Sequence, residues 1–130
     1  ARNGGTAMKT AGNLAEVFPK TLFSTAAFSE PAGPAEIFVN ATPLGMYAPG
    51  MPPVNPKQGE VWLDLAYTTG GTELIRIAAA AGASAIDGLE VLVRQAALSL
   101  KFWTGLPGGD IVEFTRGAIR LLREKIKQGE

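Results

Sequence analysis

The sequence has no cysteine and no histidine among its 130 residues. Within this chain, their absence excludes a disulfide, a zinc site built from cysteine and histidine, and a nucleophile activated by a histidine base. An excess of either charge is also missing, because 12 lysines and arginines balance 12 aspartates and glutamates. This balance, with basic residues concentrated only near the end of the chain, argues against nucleic acid or an anionic membrane as a partner.

Long hydrophobic runs are absent as well. The longest nearly apolar stretch, residues 77–86, is far shorter than the roughly 20 residues that a membrane-spanning helix needs. The apolar fraction of 46% and the charged fraction of 18% are typical of a globular protein. The sequence opens on Ala1 and not on methionine, and two glycines follow within five residues. We interpret this start as the end of a strand and expect the chain to be part of a longer protein.

Hydrophobic periodicity predicts helices separated by short apolar strands. The predicted helices cover about 7–18, 73–81, 89–103 and 110–127, and the predicted strands cover 37–41, 61–65 and 84–86. Thr6 and Thr72 are the expected caps of the first two helices, and Asp110 with Glu113 suggests a capping box for the last. The first two strands read as parallel strands buried on both faces. Trp103 is expected to pack in the core.

This alternation is typical of an α/β fold with an open parallel sheet and flanking helices. Such sheets bind ligands beyond the carboxyl ends of their strands, where this sequence places its polar and glycine-rich residues. No interior linker divides the chain. We therefore expect residues 1–130 to form one domain, with 89–130 as its helical part.

Three segments resemble the shikimate dehydrogenase family in order and spacing. They are Asn-Ala-Thr-Pro-Leu-Gly-Met at 40–46, Asp-Leu-Ala-Tyr at 64–67 with Thr-Glu-Leu-Ile at 72–75, and 87–105, which ends in Trp-Thr-Gly. The resemblance implies a partial Rossmann-type NADP-binding domain whose C-terminal helices pack back toward an N-terminal domain. It also implies NADPH-dependent reduction of 3-dehydroshikimate to shikimate in the cytoplasm, within aromatic amino-acid and chorismate biosynthesis. A homodimer is one of the assemblies that the resemblance allows.

The family's catalytic lysine and aspartate and its Gly-x-Gly-x-x-Gly turn have no counterpart in this sequence. The resemblance therefore assigns no catalytic residue to the chain, which alone should be inactive. It implies six cofactor-binding positions: Arg2, Asn3, Thr42, Leu65, Gly88 and Val91. A planar guanidinium suits the adenosine 2′-phosphate, so Arg2 favours NADP. The alternative interpretations are a surface arginine at position 2, backbone capping by Asn40 and Thr42, a turn glycine at position 88, and packing by Leu65. Val91 stands where the family usually has methionine, so the apolar wall that it offers is shorter.

Tyr67 and Gln95 match the residues that hydrogen-bond the hydroxylated substrate in the family. Packing at a strand end is the alternative for Tyr67, whereas an amide near a buried helix face needs partners. Asp64 could act as an acid or could orient the loop after its strand, and we leave it off the site. The competing functions are a quinate/shikimate dehydrogenase, a related enzyme with a modified substrate, and a non-catalytic nucleotide-binding or interaction module.

Overall fold

A computed structural model describes residues 3–30, 33–68, 70–105 and 108–128, apart from the side chains of 108–110, 126 and 127. The chain divides into two compact units, residues 1–33 and residues 34–130. Within the described ranges, no helix is both long enough and apolar enough to cross a membrane.

The first unit contains helix α1, Gly4–Val17. The helix begins earlier than predicted, and Thr6 is not its cap. Asn3 has an extended backbone and its side chain accepts a hydrogen bond from the Thr6 amide at 3.1 Å. An amide oxygen placed there satisfies a donor that the first helical turn leaves free, so the helix can start at Gly4. None of the residues of α1 is buried.

The second unit is built on three parallel strands in the order β1-β2-β3. These are β1, Ile37–Asn40, β2, Val61–Asp64, and β3, Ser84–Ile86. In the register, Asn40 pairs with Asp64, and Leu63 pairs with Ile86. All three strands therefore end at the same edge of the sheet, as the predicted α/β class requires.

Strand β1 is not buried on both faces, which corrects the prediction. The side chains of Ile37 and Val39 are 66% and 57% exposed, whereas Asn40 is buried. Alternate residues of a strand point to opposite faces, and β1 lies at an edge of the described sheet. One of its faces therefore has no covering layer within the described residues of this unit.

Helix α2, Glu73–Ala80, packs on the other face of the sheet. Thr72 caps it as predicted, since its side chain accepts from the Ile75 amide. The small core contains Trp62, Leu74 and Ala78, and Phe38 stacks on Trp62 with ring centroids 4.2 Å apart. This apolar layer holds α2 against the strands and so places its N-terminus at the carboxyl edge of the sheet.

Helices α3, Gly88–Thr104, and α4, Gly108–Gln128, pack against each other. The buried side chains of α3 follow a four-residue spacing through Leu89, Val93 and Ala97. Trp103 lies off that face and is 78% exposed, so the expectation of core packing is wrong. The capping box is also wrong, because α4 begins two residues before Asp110.

Candidate binding site at the carboxyl edge of the sheet

Three segments meet where the parallel strands end. The amide of Leu65, after β2, donates to the carbonyl of Asn40 at the end of β1 at 2.9 Å. Gly88 opens α3 so close to β2 that a Cβ atom on it would lie 2.5 Å from the Leu65 carbonyl oxygen. The turn after β1, the loop after β2 and the start of α3 therefore form one continuous surface.

Asp64, the last residue of β2, is fully buried and connects these segments. One of its oxygens accepts from the Asn40 side-chain amide at 2.8 Å and from the Ala66 backbone amide at 3.0 Å. The other accepts from the Thr72 hydroxyl at 2.5 Å. Burial of a carboxyl group is costly unless its oxygens are hydrogen-bonded. Three neutral donors compensate it here, and they tie the ends of β1 and β2 to the cap of α2.

The turn after β1 is ordered by the side chain of Asn40. Its carbonyl oxygen accepts from the backbone amide of Thr42 at 3.0 Å and from the Thr42 hydroxyl at 2.7 Å. The Leu44 amide in turn reaches the Thr42 hydroxyl oxygen at 3.4 Å. This is the local side-chain-to-backbone pattern by which asparagine stabilises turns. Thr42 is thus in the capping arrangement, and its contact with a cofactor stays a prediction.

Leu65 is 43% exposed although it stands between two buried residues, Asp64 and Ala66. Its apolar side chain is therefore accessible at the edge where ligands bind in parallel sheets. Gly88 is buried, and its backbone closely approaches the carbonyls of Leu65 and Ala66. The close approach of α3 to the loop after β2 is enough to require a glycine at position 88. A cofactor contact at Gly88 stays a prediction.

Gly88, Val91 and Gln95 stand at positions i, i+3 and i+7 of α3 and so share one face of that helix. Val91 is half-buried, and Gln95 is exposed. Seven residues of helix span about 10 Å, so this face extends outward from the strand ends. The exposure of Gln95 differs from the expected position near a buried face, and it leaves the amide accessible. Tyr67 is half-buried, two residues beyond Leu65.

The two remaining predicted positions lie near the start of the chain. Arg2 falls outside the described residues. Asn3 is exposed and uses its side-chain oxygen to cap α1. A role for either residue at a phosphate group stays a prediction.

Sequence reasoning undervalued the polar residues that build the site, namely Asn40, Asp64 and Thr72. A signal for them was present. Asn40 and Asp64 each follow a short apolar run, and strands that end together in a parallel sheet bring such residues side by side. The cap at Thr72 then supplies a third polar group at the same edge. The orienting role that was considered for Asp64 is the role its hydrogen bonds support.

Comparison with known proteins finds curated relatives at substantial identity, although no family model matches the chain. The NADP(+)-dependent shikimate dehydrogenase of Anaeromyxobacter dehalogenans is 39% identical over 114 residues, which cover 82% of this chain and 40% of that protein. The corresponding enzyme of Salinibacter ruber is 37% identical over 127 residues, covering 89% and 45%. The chain thus spans less than half the length of these relatives.

Solved structures of shikimate dehydrogenases and of a related reductase also match the chain. A shikimate dehydrogenase crystallised in complex with NADP+ matches with a TM-score of 0.50 and 35% identity, over 70% of this chain and 32% of that one. The 5-ketofructose reductase of Gluconobacter sp. strain CHM43 matches with a TM-score of 0.67 and 25% identity, over 90% and 45%. These findings confirm the predicted α/β class and the predicted resemblance: over most of its length, this chain is homologous to part of the shikimate dehydrogenases.

Proposed function

We propose that this chain forms the cofactor-binding part of an NADP-dependent shikimate dehydrogenase, which reduces 3-dehydroshikimate to shikimate. The observation that carries the proposal is the meeting of Thr42, Leu65 and Gly88 at the carboxyl edge of the parallel sheet. These residues come from the three segments that resemble the family. The relatives and one structural neighbour are named for NADP+.

The residues at this edge fit a nicotinamide group. Leu65 offers an exposed apolar side chain, Val91 is accessible in part, and the turn after β1 contributes the Thr42 hydroxyl. A flat ring with an amide substituent needs this combination of an apolar wall and one polar group. Bound NADPH would supply the hydride, and these side chains would hold the ring in place. Arg2 and Asn3 would bind the 2′-phosphate.

Tyr67 and Gln95 are the proposed substrate ligands. A phenol and a carboxamide together offer donors and acceptors, which a ring bearing several hydroxyl groups requires. Gln95 presents its exposed amide on the helix face that also carries Val91. The proton for the reduced carbonyl would come from the lysine and aspartate that the resemblance implies outside these residues. No side chain of this chain is proposed as an acid or base.

We also propose that residues 1–130 belong to one NADP-binding domain, of which the chain forms a part, with 89–130 as its helical part. The enzyme would act in the cytoplasm on a small molecule, and on neither nucleic acid nor membrane.

The test is NADP+ reduction by shikimate in the full-length protein that contains this chain. We expect turnover, and we expect Arg2→Ala to raise the KM for NADP+ by about tenfold or more with little change in kcat, since a charge-assisted phosphate contact contributes about 1.5–3 kcal/mol. Arg116→Ala, an exposed arginine of α4, is the matched control. A folded protein without turnover would overturn the proposal.

A related substrate is the second candidate. It is favoured by the match to 5-ketofructose reductase, which extends over 90% of the chain with a TM-score of 0.67. Quinate in the same assay, and 5-ketofructose against 3-dehydroshikimate in the reverse assay of NADPH oxidation, separate the two. A kcat/KM for quinate above that for shikimate, or for 5-ketofructose above that for 3-dehydroshikimate, would favour this candidate. NADPH binding without turnover of any of these compounds would favour a non-catalytic module.

A further inference from the structure

We propose that Asp64 is a positioning residue that fixes the hydrogen-bond polarity of the turn after β1, so that Thr42 meets the cofactor as an acceptor. Thr42 would accept a hydrogen bond from the nicotinamide half of NADP, either from the carboxamide N–H or from a ribose hydroxyl. This inference rests on the proposed function and goes beyond it, because it assigns a task to a buried residue that touches no ligand.

Three groups converge on the two carboxyl oxygens of Asp64: the Asn40 amide, the Ala66 backbone amide and the Thr72 hydroxyl. The Ala66 amide can only donate, so the oxygen that it shares with Asn40 must accept. The group that Asn40 turns toward it at 2.8 Å must therefore be the –NH2 end of the amide.

The orientation of Asn40 then dictates the state of Thr42. With its –NH2 end held by Asp64, Asn40 offers only its carbonyl oxygen to the turn. The Thr42 backbone amide donates to that oxygen at 3.0 Å, and the Thr42 hydroxyl donates to it at 2.7 Å. The backbone amide can only donate, so it is compatible with this polarity alone as long as Asp64 holds the Asn40 side chain in place.

A hydroxyl group has one proton and two acceptor positions. The proton of Thr42 is committed to Asn40, and the Leu44 amide approaches one acceptor position at 3.4 Å. What remains for a ligand is an acceptor. Thr42 is only half-buried, which leaves part of the residue open to a ligand at the edge of the sheet.

A double-mutant cycle on NADPH affinity tests the inference in the full-length protein. Thr42→Val removes the acceptor, and Asp64→Ala removes the oxygen that orients Asn40. We expect each to raise the Kd for NADPH about fivefold to tenfold, the range of one ordinary hydrogen bond, and the double variant to be no weaker than the weaker single variant. Thr42→Ser should restore wild-type affinity.

Two variants separate positioning from general damage. Thr72→Val cuts the bond to the other Asp64 oxygen and leaves the Asn40 link intact, so it should lower Tm without changing the Kd more than about twofold. Glu60→Ala makes the matched removal of a carboxylate at the opposite end of β2 and should leave the Kd unchanged.

Multiplicative effects on the Kd in the cycle, or an equal loss of affinity in Thr72→Val and Asp64→Ala, would overturn the inference alone. A folded wild-type protein that binds no NADPH would overturn the proposed function as well. If Asp64→Ala does not fold, the pair Thr42→Val and Thr42→Ser still decides the acceptor role, which fails if the valine variant binds NADPH as tightly as the serine variant.

Discussion

Two carboxylates at opposite ends of β2 hold the sheet in different ways. Glu60, just before the strand, accepts from the Lys57 amide at 2.8 Å and from the Trp62 indole at 2.9 Å, both within three residues. Asp64, at the other end, collects donors from positions 24 residues before it and eight residues after it. The carboxylate at the amino end of the strand thus makes local contacts, whereas the carboxylate at the carboxyl end makes tertiary ones. The binding site is proposed at the end where three segments must be positioned together.

Removal of Asp64 should have the largest effect. Asp64→Ala leaves the Asn40 amide, the Ala66 amide and the Thr72 hydroxyl buried without an acceptor, at about 1–3 kcal/mol for each. We expect the full-length protein to lose at least about 3 kcal/mol of unfolding free energy, measured by urea denaturation. A loss below about 1 kcal/mol would show that water replaces the carboxylate and that the two ends of β2 are alike.

Gly88→Ala should have the next largest effect. The added Cβ would lie 2.5 Å from the Leu65 carbonyl oxygen and 2.8 Å from that of Ala66. Backbone atoms cannot move aside as a flexible side chain can, so we expect a loss of about 2–3 kcal/mol in thermal or chemical unfolding.

Gly117→Ala in α4 is the matched control for that change. A Cβ at this helical position would meet nothing within 4 Å. Alanine there should stabilise the helix by about 0.5–1 kcal/mol. If both substitutions stabilise the protein, the close approach of α3 to the loop after β2 is wrong.

Glu60→Ala should have a smaller effect than Asp64→Ala. Glu60 is only half-buried and Lys57 is exposed, so water can take the place of the carboxylate. We expect a loss of about 1 kcal/mol and no change in NADPH affinity. The indole of Trp62 provides a direct measurement, because its fluorescence should respond to the loss of the acceptor at 2.9 Å. A loss equal to that of Asp64→Ala would remove the contrast between the two strand ends.

The sequence predicts the features of this structure that depend on local signals, and it does not predict those that depend on tertiary contacts. The strands at 61–64 and 84–86 and the cap at Thr72 were predictable, because apolar runs and capping residues are local signals. The exposure of Ile37 and Trp103 was not, since it depends on which other elements cover them. The sequence does not predict the start of α1 at Gly4, because glycine has a low helix propensity and the first helical turn contains two glycines.

In the candidate site, the positions of the residues were predictable, but their hydrogen bonds were not. The motif positions placed Thr42, Leu65 and Gly88 at strand ends, and the register of the sheet brings those ends together. The bonds from Asn40 and Thr72 to one carboxylate could not be read from spacing alone, because they depend on side-chain orientation across three segments.

The smallest expected effect is at Asn3, which provides another local contact of the kind seen at Glu60. Asn3→Ala removes the cap of α1 and should cost about 1 kcal/mol, seen as a loss of helical signal in circular dichroism. Asn3→Asp keeps an oxygen in the capping position and adds a negative charge that a helix N-terminus tolerates well. If Asn3 serves only as a cap, the aspartate variant should bind NADPH as the wild type does. If it also contacts the 2′-phosphate, the aspartate variant should keep its helix yet bind NADPH several-fold more weakly, while NADH binding is unchanged. The ratio of the two affinities therefore separates the local role that the structure shows from the ligand role that the resemblance implies.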